Sequence, residues 1–196
     1  MATGRGEVPP EGNRAATFRA AVQYVGQAVT RALEELPDET LLLTVTLIHG
    51  APTVFVYGAG RSGIVARAFA MRLVQTGIPA FVIGESVTPI VKRGDLVIIF
   101  SNRGESQSSL QTANIVRREG ANLVVITARP TSKLAHAANH VLPLRFPEDE
   151  VRPRYAPLGT LFEAASLRLG DGLISELMRV RGETEDSLRR RHAIMV

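Results

Sequence analysis

The chain has no cysteine and no tryptophan, and aromatic residues make up only 5% of it. Without cysteine there is neither a disulfide nor a thiolate to work with. The few aromatics are not interleaved with the basic residues, which argues against a base-stacking nucleic-acid surface. No apolar run approaches the roughly 20 residues that a membrane-spanning helix needs. Residues 1–13 are rich in glycine and proline and lack the apolar core of a signal peptide. A cytoplasmic protein with no nucleic-acid and no membrane partner is therefore expected. Histidines number four, and no spacing of His, Asp or Glu resembles a metal-ligand set, so no metal is expected.

What is present suits one domain with a substantial core: 196 residues, 45% of them apolar. The formal net charge is +4. The basic excess sits in small groups at Arg117-Arg118, Arg152 and Arg154, and Arg189-Arg190-Arg191. Such groups usually mark solvated faces, and phosphorylated small molecules would account for a mild basic bias as well as nucleic acid would.

Residues 1–13 read as a disordered tail and 14–196 as a single domain. In 14–36 the apolar positions Phe18, Val22, Val25, Val29, Ala32 and Leu36 step by four and three, the spacing of a helical seam. That seam can lie on its own core or on a second subunit. Pro37 ends this helix, Asp38 can cap the next, and 41–48 is read as helical. An alternation then begins: strand 54–57, helix 61–76, strand 80–83, strand 95–101, helix 106–119, strand 122–127, short helix 132–138 and strand 140–144. The strands are continuous apolar runs, as in a parallel sheet covered on both faces. Residues 145–159 read as a loop, 160–180 as a long last helix and 182–196 as a charged tail. The expected architecture is α/β, a doubly wound five-stranded parallel sheet with helices on both faces.

In such a sheet ligands sit beyond the C-terminal strand ends, where strand order reverses. The loops after the first and third strands form the expected walls. The first, Gly58-Ala59-Gly60-Arg61-Ser62-Gly63, is a glycine turn opening a helix, where free N–H groups and the helix dipole favour an anion. It also fits the dinucleotide pattern G-x-G-x-x-G, and Glu85 lies roughly where that motif wants its ribose-binding acid. The second, Ser101-Asn102-Arg103-Gly104-Glu105-Ser106, is again a polar glycine turn before a helix. Two such turns, with Ser62, Ser101 and Ser106 as donors, point to a phosphate.

These residues resemble the sugar isomerase (SIS) domain family of phosphosugar binders, and within it the 6-phospho-3-hexuloisomerases. The resemblance rests on 58–63 with Ala70-Met71-Arg72-Leu73 behind it, on Gly84-Glu85-Ser86-Val87-Thr88-Pro89, on 157–163, and on Arg191-His192-Ala193. It departs in the second turn, where Asn102 and Arg103 replace a usual small pair. Arg103 could crowd a phosphate there or add a charge contact to it. The resemblance implies a flavodoxin-like SIS fold and interconversion of 3-hexulose 6-phosphate and fructose 6-phosphate through an enediol(ate), with a sugar phosphate as substrate and no cofactor; the alternatives are another aldose–ketose phosphosugar isomerase or a non-catalytic phosphosugar-binding sensor. Gly60, Arg61, Ser62, Glu85, Ser101, Arg103 and Ser106 would bind the substrate. The N-terminal seam and the apolar last helix each offer more apolar surface than one sheet face needs, so a homo-oligomer, dimer or tetramer, with shared active sites is expected.

Glu163 is the candidate base by its match to the family's Gly-x-x-Phe-Glu stretch. Read from the residues alone, Thr160-Leu161-Phe162-Glu163 is a capping box before an apolar helix. His192 is the second catalytic candidate, for ring opening or proton transfer to oxygen, in its own or a neighbouring subunit's site; near a terminus it can equally be a surface residue. Glu85 can face sugar hydroxyls or cap its loop through Ser86 and Thr88. His49, His136 and His140 carry no motif and read as structural.

Overall fold

The computed structural model describes residues 15–194; the expected tail, 1–13, lies outside the described residues. The apolar runs form β1 (Val54–Gly58), β2 (Ala80–Val82), β3 (Leu96–Phe100), β4 (Asn122–Thr127) and β5 (His140–Pro143). All pair in parallel, in the order β2-β1-β3-β4-β5. The order reverses between β1 and β3, whose ends meet with Gly58 beside Phe100.

Every residue of β3 is buried, and the strand's two-residue period divides it between two cores. Leu96, Ile98 and Phe100 enter one core, under α1 (Ala16–Glu34), α2 (Asp38–Gly50), α3 (Arg61–Gln75) and α7 (Thr160–Arg181). Val97 and Ile99 enter the other, under α4 (Gln107–Glu119) and α5 (Lys133–Ala137). Each such side chain contributes about 1.5–3 kcal/mol by leaving water. Within the first layer α3 and α7 run close together: a Cβ on Gly170 would come within 3.1 Å of the Phe69 ring.

The helical seam divides. Val29, Ala32 and Leu36 are buried against the chain's own core, whereas Phe18 and Val22 are exposed. The cap of α2 differs from expectation, for Pro37 is the N-cap and Asp38 stands in the first turn, where its charge still suits the helix dipole.

Two short helices appear where loop or tail was expected. In 145–159 the chain makes α6 (Arg152–Tyr155), because Asp149 accepts hydrogen bonds from the N–H groups of Val151 and Arg152. Tyr24 of α1 donates its hydroxyl to the same carboxylate, at 3.0 Å to one oxygen. In the tail, α8 (Glu185–Arg190) starts at a capping box between Thr184 and Ser187. Arg191 then fixes its end, donating to both oxygens of Glu183 and to the Gln75 carbonyl.

The three histidines without a motif have structural settings or none. His140 Nε2 lies 3.0 Å from Thr44 Oγ1 and 3.1 Å from the Thr40 carbonyl, tying β5 to α2. His136 Nδ1 lies 2.9 Å from the Ser132 carbonyl of its own turn.

Candidate active site

The C-terminal edge of the sheet gathers the N-termini of α3, α4 and α7. The first turn closes by backbone-to-backbone approach. A Cβ on Gly58 would fall 2.6 Å from the Ser62 carbonyl carbon, and one on Gly63 would fall 2.5 Å from the Gly58 oxygen. Gly60, the N-cap of α3, has φ +59°, a conformation that L side chains rarely adopt. Ser62 is buried behind the turn, and Arg61, the first helical residue, reaches out over the edge.

The second turn depends on Gly104, at φ +66°, where a Cβ would come within 2.6 Å of Ser132 Cβ. The Asn102 carbonyl accepts from the Ala128 N–H and from Thr127 Oγ1, both at 3.1 Å, which ties the turn to the end of β4. Ser101 Oγ accepts from the Gly104 N–H at 3.2 Å. Ser106, the N-cap of α4, donates its hydroxyl to Ser109 Oγ at 2.6 Å. Both hydroxyls thus have partners within the turn and its helix. Arg103 projects outward.

Glu163 does not make the capping box. The N-cap of α7 is Gly159, no side chain caps this helix, and Thr160 turns its hydroxyl to the Pro157 carbonyl. The box fails because the Pro157-Leu158-Gly159 turn carries Thr160 one place into the helix. The Glu163 carboxylate, only 12% exposed, instead lies beside Arg61, with Oε2 3.2 Å from Nη1. That approach suits Coulombic attraction but not an aligned hydrogen bond, and Oε2 is buried without any hydrogen-bond partner. A Cβ on Gly159 would meet this carboxylate at 2.5 Å, so the glycine leaves it room.

Glu163 and Arg103 line one cavity of about 430 Å³. Its other walls come from the ends of β4 and β5 and from α6, through Arg129, Glu148 and Arg152. At the rim Leu158 is 90% exposed with φ +57°, an unfavourable left-handed conformation for leucine. The structure thus brings Arg61, Arg103 and Glu163 together, with Gly60, Ser62, Ser101 and Ser106 in the two turns behind them.

Glu85 stands apart from the cavity. Its carboxylate accepts from Arg67 Nε and Nη2, at 3.0 and 2.8 Å, on the outer surface of α3. The loop is closed instead by Thr88, which donates to the Val82 carbonyl. His192 is farther still. It is exposed beyond α8, next to Arg191, whose guanidinium binds the Gln75 carbonyl at the far end of α3. The 15 residues of α3 separate it from Arg61 and Glu163, about 22 Å at the usual helical rise. Within one chain the two catalytic candidates do not meet.

The SIS domain family model matches residues 47–162, more than half of the chain and all five strands. The chain belongs to the SIS domain family. This SIS domain is 34% identical over 174 residues to the 3-hexulose-6-phosphate isomerase of Methylomonas aminofaciens, covering 88% of this chain and 94% of that one. It is 30% identical over 196 residues to the enzyme of the same name from Mycobacterium gastri, covering 92% and 98%. Among solved structures, a Methanococcus jannaschii protein, for which a function of 3-hexulose-6-phosphate isomerase was inferred, superposes with a TM-score of 0.82. That pair is 27% identical, covering 90% of this chain and 99% of that one.

Arg129, Glu148 and Arg152 are the cavity residues that the sequence reading passed over or took for a solvated face. Arg129 stands two residues beyond β4, and loops after C-terminal strand ends are where ligands are sought, so its position could have singled it out. Arg152 and Glu148 lie in what read as a plain loop and carried no local signal. Among the described residues no helix is long and apolar enough to cross a membrane.

Proposed function

We propose that this SIS domain interconverts 3-hexulose 6-phosphate and fructose 6-phosphate through an enediolate, with Glu163 as the base. The observation that carries this reading is the Glu163 carboxylate itself, buried with an unbonded oxygen yet lining an open cavity walled by arginines. Leaving such an oxygen unmade costs free energy that only a ligand or a reaction turns to use. The choice of sugar follows the two enzymes named above.

The reaction moves a carbonyl from C3 to C2. Glu163 takes the proton from C2 of the hexulose, and the electron pair left behind forms the C2–C3 double bond while O3 becomes an oxyanion. A proton passes from O2 to O3, and the proton on Glu163 returns to C3, which leaves the carbonyl at C2. Arg61 holds the carboxylate in place, and the cationic wall stabilises the developing oxyanion. The phosphate, bound by the two turns with Gly60, Ser62, Ser101, Arg103 and Ser106, fixes the reacting carbons against the base.

His192, at the opposite end of the chain, supplies the oxygen-to-oxygen proton transfer or ring opening in a neighbouring subunit's site. In this reading 14–196 works as one domain in a homo-oligomer, and exposed Phe18 and Val22 are part of the surface between copies. A cytoplasmic setting accords with it, because a charged sugar phosphate does not cross a bilayer unaided.

The test is turnover of 3-hexulose 6-phosphate, followed by coupled detection of fructose 6-phosphate. Wild type should turn over, and Glu163→Gln should lose about 10²–10⁴-fold in kcat. Wild type that binds the sugar phosphate without converting it, or converts only an aldose phosphate, sinks the proposal.

A further inference from the structure

We infer that Arg129 and Arg152, together with Arg103, clamp the phosphate dianion, and that Glu148 occupies the clamp when no phosphate is bound. This rests on the phosphosugar reading above and assigns residues that neither turn contains. The three guanidiniums and the catalytic candidate Glu163 share the walls of one cavity. Arg103 and Arg129 spring from hydrogen-bonded neighbours, because the Ala128 N–H donates to the Asn102 carbonyl. Arg152 is set opposite by the Asp149 turn, which Tyr24 ties to α1.

The charges favour a doubly negative ligand. Arg103, Arg129 and Arg152 line the cavity with Glu148 and Glu163, and Arg61, outside the lining, pairs with Glu163, so four arginines stand against two carboxylates. The excess of two positive charges equals the charge of a sugar phosphate near neutral pH. Glu163 has its counter-ion in Arg61. Glu148 accepts from Arg129 Nη2 at 3.1 Å, but both side chains are well over half exposed. An exposed pair of this kind is weak and readily exchanged. Among the described residues, neither Arg103 nor Arg152 has a carboxylate within ion-pair distance. A phosphate entering here would gain charge-assisted bonds to forked donors, which match its oxygens better than a single carboxylate does.

The clamp also accounts for the departure in the second turn. The Ser101 and Ser106 oxygens are engaged inside the turn and helix, and Arg103 stands where a small residue would leave open backbone. Charge brought by side chains replaces part of what a small polar turn would offer.

The experiment uses the full chain and measures inorganic phosphate binding by calorimetry, beside KM and kcat for 3-hexulose 6-phosphate. Arg129→Gln and Arg152→Gln should each weaken phosphate on the order of tenfold or more and raise KM in parallel, with kcat much less affected. Glu148→Gln should do the opposite and tighten phosphate a few-fold, a sign that a purely structural role would not produce. The Tm of each variant controls for folding; exposed Arg129 and Glu148 should leave it unchanged, and half-buried Arg152 should move it little. Phosphate affinity and KM unmoved by both arginine substitutions, in a wild type that turns over, would overturn the clamp and leave the isomerase standing. Affinities that shift as expected in a wild type without turnover would keep the clamp and overturn the isomerase.

Discussion

Helix α7 carries a glutamate–arginine pair at each end, and the two are built to different plans. At its N-terminus Glu163 meets Arg61 through one contact at 3.2 Å, and its Oε2 receives no hydrogen bond. Just past its C-terminus Glu183 takes both arms of Arg191, at 2.8 and 2.9 Å, and a hydrogen bond from Ser187 besides. The second pair is closed. It fastens α8 to the base of α3, and these bonds, with the Arg191 fork first among them, hold the Glu183 carboxyl down at about 2. The first pair leaves a buried oxygen without a hydrogen bond, on a residue that lines a cavity. Under the function proposed above, the complete pair is a fastener and the incomplete one is where the substrate is met.

Substituting both glutamates sharpens this contrast most. Glu163→Gln should abolish most turnover, by about 10²–10⁴-fold, while moving the urea midpoint little. Glu183→Gln should lower the midpoint by releasing α8. If His192 serves a neighbouring subunit, Glu183→Gln should also lower kcat, and His192→Gln should lower it without touching stability. A Glu163→Gln protein that unfolds early but turns over normally would reverse the roles assigned to the two ends.

The glycines of the first turn, beside Glu163, come next. Gly58→Ala drives a Cβ into the Ser62 backbone, which has no flexible end to yield. It should cost about 1–3 kcal/mol and weaken sugar phosphate binding with it. Gly60→Ala meets no atom within 4 Å, and its penalty is conformational alone, from φ +59°. It should cost about 1–3 kcal/mol as well, but without a clash to distort the turn it should weaken sugar phosphate binding less than Gly58→Ala does. Equal loss of binding at the two positions would break the distinction.

These features were unequally legible in the sequence. The strands and both turns could be read, because an apolar run of five with glycine after it has few other uses. The doubly wound parallel sheet, with its ligand walls after the first and third strands, followed from the repeated β–α units together with the family resemblance, but the full order β2-β1-β3-β4-β5 came only from the structure. Where α6 and α8 form could not be read: each is short and exists through ties to Asp149, Tyr24 or Arg191, at long separation or within the segment itself. The Thr160–Glu163 pattern was misleading for a local reason, since a preceding Leu158 at φ +57° shifted the helix start. The clamp residues at 103, 129 and 152 share no local pattern. Only the pairing of β3 with β4, and the return of the chain over the sheet edge, brings them to one cavity.

Acid should separate the two ends further. Glu183 falls from the ordinary 4.5 to about 2 in the folded chain. A carboxyl depressed by folding gives stability that is full above the unfolded value and is lost as pH falls through the folded one. The difference in urea midpoint between wild type and Glu183→Gln should therefore be greatest above pH 4.5 and shrink progressively toward pH 2. A difference that persists unchanged at the lower pH would mean that shape rather than charge makes the fastener.

The smallest expected effect tests whether every unbonded oxygen in this layer is functional. Ser166, one turn beyond Glu163 on α7, is fully buried, and its Oγ also lacks a hydrogen-bond partner. It packs toward α3 near Phe69, away from the arginine-walled cavity. Its neighbours there are mostly apolar, Val65, Ala68, Phe69 and Leu167 among them, so its hydroxyl carries a cost of lost hydration. Ser166→Ala removes that cost at the expense of a very small void, and should be neutral or stabilising by up to about 1 kcal/mol, with kcat and KM unchanged. A marked fall in turnover would extend the catalytic end of α7 by a full turn, and the boundary between working and structural polar groups would have to be redrawn past Ser166.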